Sequence, residues 1–222
     1  MSYLYETHLH TSESSACAVS SAEQQAIAYK ERGYTGIIIT DHFVNGYTTC
    51  PKSLQWEQKM KHFVSGYENA KKAGDKIGLD VFFGWEFTIR GADFLTYGLD
   101  VNFLISRPRL DLMNIEDYSN LVRECGGYIA QAHPYREAYY IDHSFPVSHT
   151  LLDGIEVYNS YDSDYINNKA LAYALKYDLP MQSGTDSHGR GERYFAGISL
   201  ETKAESIQDI INAIKAKKVR LV

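Results

Sequence analysis

The chain has 222 residues, a formal net charge of −6 and a sequence pI near 5.7. This length is enough for a full hydrophobic core, and α/β barrels of about 200–250 residues form single domains. The acidic balance argues against a broad basic surface for nucleic acid, so we expect no nucleic-acid partner. The three cysteines form no CxxC pair, which argues against both a disulfide framework and a thiolate zinc site.

The N-terminal residues enter a polar, strand-like segment directly, and no run of about 18 apolar residues occurs. We therefore expect no signal peptide, no transmembrane helix, no membrane partner and a cytoplasmic location. No internal repeat, low-complexity tract or linker divides the sequence. We expect residues 1–222 to form one domain.

Short apolar runs alternate with helical patterns along the chain. The predicted strands are Tyr3–His8, Gly36–Thr40, Val81–Thr88, Phe94–Leu99, Gly127–Ala132, Gly154–Tyr158 and Pro180–Gly184. The predicted helices, chosen by their capping residues, are Ser21–Arg32, Leu54–Ala73, Ile115–Cys125, Tyr165–Tyr177 and Ser206–Lys217. This alternation predicts an α/β fold with a parallel sheet, and seven such strands predict a barrel of the TIM-like type.

Three further segments complete the predicted architecture. Tyr194–Glu201 and Val219–Val222 are expected to form extra strands or sheet edges. The segment Tyr135–Leu151 has aromatic residues and histidines without periodicity, and we expect a long loop over the barrel mouth.

Histidines and carboxylates lie at or next to the ends of the apolar runs. His8 and His10 are two residues apart, so in a strand they share a face and can point at one ion. Partly exposed strand histidines are the alternative for this pair. The next strand ends in Asp41 and His42, and such residues at the carboxyl end of a barrel strand are typical of a catalytic rim.

Glu86 lies inside the third apolar run. Burying an unpaired carboxylate is costly, so this residue requires a cation, a hydrogen-bond donor or a raised pKa. A metal ion would satisfy it, and a buried ion pair with an arginine is the alternative.

The later strands repeat the pattern. His133 ends an apolar run before Pro134, and Arg136 is near enough in sequence to present a planar fork toward an anion beside the metals. Asp186 and His188 form a second pair on one face. Imidazole and carboxylate at five strand ends together predict a polynuclear hydrolytic metal site.

These motifs, in their order, resemble those of the polymerase and histidinol phosphatase (PHP) domain family of metal-dependent phosphoesterases. The resemblance covers most of the chain and rests on His8-Leu-His10, Thr40-Asp-His42, Gly84-Trp-Glu86, Ala132-His-Pro134, Asp153-Gly-Ile-Glu-Val-Tyr-Asn159 and Gly184-Thr-Asp-Ser-His188. It implies a distorted (β/α)7 TIM-like barrel with up to three divalent ions at the carboxyl ends of the strands. It further implies that one ion is bound by His8, His10, Glu86 and Asp186, a second by His42 and His188, and a third by Glu86 and His133.

The chain departs from the family pattern at two places. Family members usually have a histidine or aspartate several residues after the first pair, where this chain has Ser14, Ser15 and Ala16. We therefore expect that Glu13 holds the second ion, or that this ion is loosely bound. The family also usually has a histidine at the start of the fourth strand, where Asp93 stands here. Mixed nitrogen and oxygen ligands favour about two to three ions of Mn, Fe or Zn.

The leading functional hypothesis is hydrolysis of a small phosphate monoester, of the nucleotide, sugar or histidinol phosphate type, by attack of a metal-bound hydroxide. Glu86, Asp186 and Arg136 are the expected catalytic residues, and Arg136 would neutralise the phosphoryl oxygens. Tyr135 is expected to bind this small phosphorylated substrate, because tyrosine rings can stack on a base or an imidazole. Asp41 is expected to orient a metal ligand from behind rather than bind metal itself, although a plain strand-end cap is the alternative.

Other interpretations remain open from sequence. Tyr139 and Tyr140 are further candidates for stacking, and His143 and His149 are either substrate contacts or solvated loop residues. A single-strand nuclease or phosphodiesterase of the same fold is the first alternative function, although the sequence has no obvious basic groove. The second alternative is a catalytically silent metal-binding domain.

Overall fold

The computed structural model describes residues 2–139, 141, 146–189 and 195–222. In these residues the strands are β1 Tyr3–Leu9, β2 Gly36–Ile39, β3 Asp80–Ile89, β4 Ala92–Tyr97, β5 Tyr128–Gln131, β6 Gly154–Asn159, β7 Met181–Gly184, β8 Ile198–Leu200 and β9 Arg220–Leu221. The α-helices are α1 Ala22–Glu31, α2 Trp56–Phe63, α3 Ser65–Ile77, α4 Val101–Ile105, α5 Ile115–Glu124, α6 Asp164–Tyr177 and α7 Ile207–Lys215. No helix in these ranges is both long enough and apolar enough to cross a bilayer.

The strands form one sheet in the order β7-β6-β5-β4-β3-β2-β1-β8-β9. The chain just after β7 returns to β1, where the Asp186 amide donates to the His8 carbonyl at 2.8 Å and the His10 amide donates to the Ser187 carbonyl at 3.1 Å. These contacts nearly close the sheet into a barrel, while β8 and β9 continue it beyond β1. The predicted α/β barrel is confirmed.

Among the seven strands for which the sequence predicted a parallel arrangement, β4 is the exception; β8 and β9, beyond β1, also pair antiparallel. It runs antiparallel to both β3 and β5. Arg90 and Gly91, between β3 and β4, have φ angles of 52° and 82°. Positive φ at both central residues is what a type I′ hairpin turn requires, and such a turn makes the joined strands antiparallel. As a result the first residues of β4, including Asp93, lie at the edge where the neighbouring strands end.

The helices differ from the prediction at two places. Helix α4 was not predicted, and one predicted helix is divided. The predicted helix Leu54–Ala73 is divided into α2 and α3, and the Ser65 hydroxyl donates to the His62 carbonyl at 2.7 Å at the junction. The divided geometry brings the first turn of α3 against the loop after β1. A Cβ atom at Gly66 would lie 2.3 Å from Asp41 Oδ2 and from Thr11 Oγ1, so this approach requires glycine.

The remaining segments follow the prediction within a few residues. The predicted strand Tyr194–Glu201 is observed as β8, with Tyr194 outside the described residues, and Val219–Val222 is observed as β9. The predicted long loop ends in a short 3₁₀ turn at His149–Leu151.

A buried layer inside the barrel supports the edge where the strands end. Tyr97 and Tyr128 stack with their ring centroids 5.5 Å apart. The Tyr128 hydroxyl donates to Gln182 Oε1 at 2.9 Å, and Gln182 Nε2 donates to the Tyr97 hydroxyl at 2.9 Å. Each polar group in this layer thus has a partner, which lets the polar interior pack without exposing it to water.

Candidate metal centre

All predicted metal ligands except Glu13 meet at the carboxyl-end edge of the barrel. Among the described residues they form four overlapping groups of three, and the ligand atoms of each group lie within 4.8 Å of one another. The groups are His8/His10/Glu86, His8/His133/Asp186, Glu86/Asp93/His133 and His10/His42/His188.

Glu86 is fully buried at the middle of this cluster. Its Oε1 atom lies 3.2 Å from His8 Nε2 and 3.2 Å from His133 Nε2. Its Oε2 atom lies 2.6 Å from His42 Nδ1 and 3.6 Å from His10 Nε2. The residue is therefore surrounded by imidazoles, and none of the arginines that the structure describes forms an ion pair with it.

Two buried atoms in the cluster indicate that metal fits it. Glu86 Oε2 and His42 Nδ1 have no hydrogen-bond partner among the described residues, although they are only 2.6 Å apart. Buried polar atoms are normally hydrogen-bonded, so such a pair calls for an explanation. A cation bound by both the carboxylate oxygen and the imidazole nitrogen would explain this pair. The mixed donor set suits Mn, Fe or Zn.

Asp186 connects the cluster to Arg136. Its Oδ1 atom lies 3.3 Å from His8 Nε2 and 3.1 Å from His10 Nε2. Its Oδ2 atom accepts a hydrogen bond from Arg136 Nη1 at 2.7 Å. Asp186 and His133 have φ angles of 54° and 28°. Non-glycine residues in this region are strained, and such strain concentrates at functional sites.

Hydrogen bonds behind the histidines fix their orientation. His8 Nδ1 lies 3.0 Å from Glu156 Oε1, and His188 Nδ1 lies 2.7 Å from the Asp186 carbonyl oxygen. Glu156 Oε2 also accepts the backbone amide of His133 at 2.9 Å. A partner on Nδ1 leaves the lone pair on Nε2, which is the arrangement that metal-binding histidines use.

Asp41 holds the loop that supports His10. Its Oδ1 atom accepts the Thr11 amide at 2.6 Å and the Ser15 hydroxyl at 2.7 Å. The Ser15 hydroxyl oxygen in turn lies 3.0 Å from His10 Nδ1. Asp41 is thus linked to a metal-ligand candidate through one side chain, and its role in orienting a ligand stays a prediction.

The charged groups of the cluster shift one another's pKa values. Burial raises the pKa of Glu86, but His42 and His8 outweigh it and hold this pKa well below its usual range. Burial lowers the pKa of His8, but Asp186, Glu156 and Glu86 raise it well above its usual range. The buried carboxylates therefore draw positive charge into the cluster. Divalent ions supply such charge while leaving the imidazoles neutral, as metal binding requires.

The pKa values of His10 and Asp93 shift in opposite directions. Burial, together with His188 and His42, lowers the pKa of His10 well below its usual range. Burial and the adjacent Glu86 raise the pKa of Asp93 to about 6. A cation between Asp93 and Glu86 would relieve their mutual repulsion.

Glu13 lies outside the metal centre, which corrects the prediction that it holds the second ion. Its carboxylate oxygens accept the Ala22 amide at 2.9 and 3.1 Å, and Oε1 also accepts Asn69 Nδ2 at 3.3 Å. Ala22 is the first residue of α1, where a carboxylate satisfies an otherwise unpaired amide and complements the helix dipole.

Arg136 donates more hydrogen bonds to protein side chains than the sequence predicted. Its Nε donates to Asp162 at 2.9 Å, Nη1 to Asp186 at 2.7 Å and Nη2 to Asn159 at 2.8 Å. Of the five N–H donors of a guanidinium, roughly two then remain for an anion. The expected phosphate contact stays a prediction, while the role of Arg136 in holding Asp186 was not predicted.

The aromatic candidates lie in the loop after β5. Tyr135 is 6.5 Å from Tyr173, centroid to centroid, and Lys169 Nζ lies 5.2 Å from the Tyr135 ring. Tyr139 is exposed, and His149 stacks on Tyr177 at 4.2 Å. A substrate contact for Tyr135 remains a prediction. Tyr140 and His143 are outside the described residues.

Cys17 is the residue of this site that sequence reasoning missed. Burial raises the pKa of Cys17, but the hydrogen bonds with His188 and His42 outweigh it, so the pKa falls to about 7. Cys17 follows the first histidine pair in an irregular loop, and a search for CxxC spacing could not find it. Its position seven residues after His10 was the available signal.

The chain is similar to known proteins in its fold. No protein-family profile and no curated protein matches it. It is similar to the structure of a two-domain Bacteroides vulgatus protein described as containing a PHP-like metal-dependent phosphoesterase, with a TM-score of 0.75 and 17% identity over 100% of this chain. The chain spans 65% of the length of that protein.

Two further structures are matched along nearly their whole length. One is a protein from Bifidobacterium adolescentis named as a metal-dependent phosphoesterase, with a TM-score of 0.57 and 14% identity over 97% of this chain and 96% of that one. The other is named as an amidohydrolase from Chromobacterium violaceum with bound sulfate, with a TM-score of 0.59 and 15% identity over 95% of this chain and 96% of that one. The chain therefore has the barrel fold of PHP-like proteins, as the resemblance in its sequence implied.

Proposed function

We propose that this chain is a metal-dependent hydrolase of phosphate esters that acts on a small phosphate monoester. The observation that carries the proposal is Glu86, a fully buried carboxylate within 3.6 Å of imidazole nitrogens from four histidines. Such a site requires cations and provides ligands for about two to three of them. The names of the two phosphoesterase-like structures support the same reaction class.

The protein residues would hold and orient the reacting groups. His8, His10 and Glu86 would bind one ion, with the Asp186 carboxylate beside both histidines. Glu86, Asp93 and His133 would bind another ion, and His42 and His188 a further one. Divalent ions in such a site lower the pKa of bound water and neutralise phosphoryl oxygens. Glu86 and Asp186 keep the ligand histidines together by charge, and Glu156 and Ser15 fix two imidazoles from behind.

Arg136 would bind the substrate from the side of the cluster. Asp186, Asp162 and Asn159 fix its guanidinium, so its remaining N–H donors are already oriented. A guanidinium held in this way can bind a phosphoryl oxygen without losing further side-chain freedom. Tyr135, from the same loop, would contact the leaving group of the ester.

A comparison of substrate classes tests the proposal. Protein purified without chelator would be analysed for metals and assayed with an aryl phosphate monoester, an aryl phosphate diester and a single-stranded oligonucleotide. We expect divalent ions in the protein and monoester hydrolysis that a chelator abolishes. Preferred cleavage of the diester or oligonucleotide would favour the nuclease alternative. Bound ions without hydrolysis of any ester would favour a silent metal-binding domain.

Two variants and a substrate panel sharpen this test. Glu86→Gln should lose hydrolysis, whereas Glu57→Gln should retain it, because Glu57 is an exposed residue paired with Lys61 on α2. Sugar, nucleotide and histidinol phosphates would then identify the preferred leaving group.

A further inference from the structure

The two strands that meet where the barrel closes, β1 and β7, are not ladder partners. The ladders of β1 join it to β2 and β8, and the ladder of β7 joins it to β6. The Asp186 amide donates to the His8 carbonyl across this seam, but only after β7 has ended. Nearer the strands a side chain crosses it, because the Thr7 hydroxyl donates to the Ser183 carbonyl at 2.9 Å. The relative position of β1 and β7 therefore depends on side chains as well as on the backbone.

Glu6 makes the second side-chain bridge across the seam, and it is fully buried. Its Oε1 atom accepts the His8 amide at 2.8 Å and the Thr185 amide at 3.0 Å. Buried amides need a partner, and hydrogen bonds to a charged acceptor are stronger than neutral ones. One oxygen atom thus joins the backbone of His8 in β1 to the backbone that follows β7.

Thr185 is held from a second side. Its hydroxyl hydrogen-bonds with the Tyr29 hydroxyl of α1 and accepts the Ser187 amide at 3.3 Å. Asp186, the next residue after Thr185, has a φ angle of 54°, which is strained for a residue other than glycine. Such a conformation persists only where the surrounding structure fixes it. Glu6 therefore supports the residue that precedes the strained backbone of Asp186.

The two residues whose backbones are joined in this way are candidate ligands of the metal centre. His8 and Asp186 belong to one ligand group, and Asp186 Oδ1 lies 3.3 Å from His8 Nε2. The group of Glu86, Asp93 and His133 contains no residue from β1 or from the segment after β7. A change at the seam should therefore affect the ion beside His8 and Asp186 first.

We propose that Glu6 is a positioning residue of the metal centre, which holds His8 and Asp186 at the separation that one ion requires. The proposal rests on the proposed function, because it assumes that the cluster binds divalent ions. Glu6 belongs to none of the ligand groups among the described residues, so it acts through the two backbone amides rather than on the ion.

Two variants separate the length of the Glu6 side chain from its charge. Glu6→Gln keeps an oxygen in reach of both amides, and Glu6 Oε2 has no hydrogen-bond partner among the described residues that an amide nitrogen would displace. Glu6→Asp keeps the charge but withdraws the oxygen by one methylene group. We expect Glu6→Asp to weaken the binding of one ion roughly 10- to 100-fold, as the loss of outer hydrogen-bond partners does, and Glu6→Gln to restore most of the affinity.

Chelator competition with zinc measures these affinities. Glu13→Ala is the matched control, because it removes another carboxylate that accepts a backbone amide, that of Ala22, but lies outside the ligand groups of the described residues. It should leave the affinity for every ion unchanged.

Amide hydrogen exchange of the full chain, resolved by NMR, tests the bridge independently of any ion. The His8 and Thr185 amides should be protected in the wild type and in Glu6→Gln. In Glu6→Asp they should exchange roughly 10- to 100-fold faster, the factor that a hydrogen bond to a charged group contributes. The Ala22 amide, which Glu13 accepts, should exchange at the same rate in all three proteins.

The outcomes distinguish this inference from the proposed function. Wild-type affinity for every ion in Glu6→Asp, or an equal loss in Glu6→Asp and Glu6→Gln, overturns the role of Glu6 and leaves the metal centre in place. Unprotected His8 and Thr185 amides in the wild type overturn it even if Glu6→Asp fails to fold. Wild-type protein that binds no divalent ion overturns the proposed function, and this inference with it.

Discussion

Glu86 carries negative charge at the middle of the centre, where its two oxygens together lie within 3.6 Å of four imidazoles. Histidines that share one buried carboxylate repel each other if that carboxylate is neutralised. The same oxygens are positioned to serve more than one ion. Both properties depend on the negative charge rather than on the shape of the side chain.

Glu86→Gln is therefore expected to bind fewer ions and to lose hydrolysis by more than the roughly 10- to 100-fold that changes in outer hydrogen-bond partners cause. The amide has almost the same size, so the effect reports charge. Metal content by mass spectrometry and kcat/KM for an aryl phosphate measure it. A metal-replete, active Glu86→Gln protein would show that this carboxylate bridges nothing.

Arg136 offers a second test at this scale. Because it donates to Asp186, Asp162 and Asn159, we expect Arg136→Ala to weaken metal binding roughly 10- to 100-fold as Asp186 loses its support. Arg136→Lys should recover only part of this, since one ammonium cannot reproduce the planar fork. Chelator competition measures the affinity. Unchanged metal affinity with a raised KM would mean that Arg136 serves phosphate alone.

The sequence brought most candidate ligands to one edge because each follows an apolar strand run, and the ends of parallel strands meet there. It could not show where Glu13 points, since spacing carries no directional information in the irregular loop after β1. In the structure the Glu13 carboxylate accepts the Ala22 amide at the start of α1. Ser15 and Val19 attach the same loop to the backbones of His42 and His188.

At the scale of elements, α1 depends on Glu13 for its start. The carboxylate accepts the amide of the first helical residue, Ala22, beside the Ser21 capping box. The helix packs against α3 in one buried cluster. Because Glu13 belongs to the loop between β1 and α1, its hydrogen bonds also join that loop to the helix.

Glu13→Ala should lower the free energy of unfolding by about 0.5–2 kcal/mol, the usual cost of removing a helix cap. Metal content should stay unchanged, because Glu13 lies outside the ligand groups of the described residues. Urea denaturation and metal analysis of the same preparation test both statements. Loss of an ion without loss of stability would restore the original prediction that Glu13 binds metal.

The direction of β4 could not be predicted from the sequence. The apolar run was found, but the alternating strand–helix pattern suggested a parallel strand. The positive φ angles at Arg90 and Gly91 determine the hairpin, and Arg-Gly is not among the pairs that strongly signal such a turn. Asp93 was nevertheless placed correctly at the site, because reversing β4 brings its beginning to the edge where its neighbours end.

At the scale of the whole molecule, the metal centre joins parts of the chain that are distant in sequence. Its ligands come from the segments around β1, β2, β3, β4, β5 and β7, so bound ions would cross-link most of the barrel. Ions that bind only the folded state stabilise it by mass action.

Removal of metal should therefore lower the thermal stability. One ion present at 100 times its Kd contributes about 2.7 kcal/mol. For a chain of this size, about 1 kcal/mol corresponds to roughly 2–4 °C in Tm. We expect chelation to lower Tm by roughly 5–11 °C for each such ion, and added Zn or Mn to restore it. Identical unfolding curves with and without chelator would show that metal does not contribute to folding stability.

The buried histidines and carboxylates are expected to form a polynuclear metal centre, and anomalous X-ray diffraction tests this most directly. Crystals of protein loaded with Zn should contain about two to three anomalous peaks, each roughly 2.0–2.1 Å from imidazole nitrogens of the cluster. Glu86 should contact more than one of them. Crystals of zinc-loaded protein with no peak among His8, His10, His42, His133 and His188 would contradict the account.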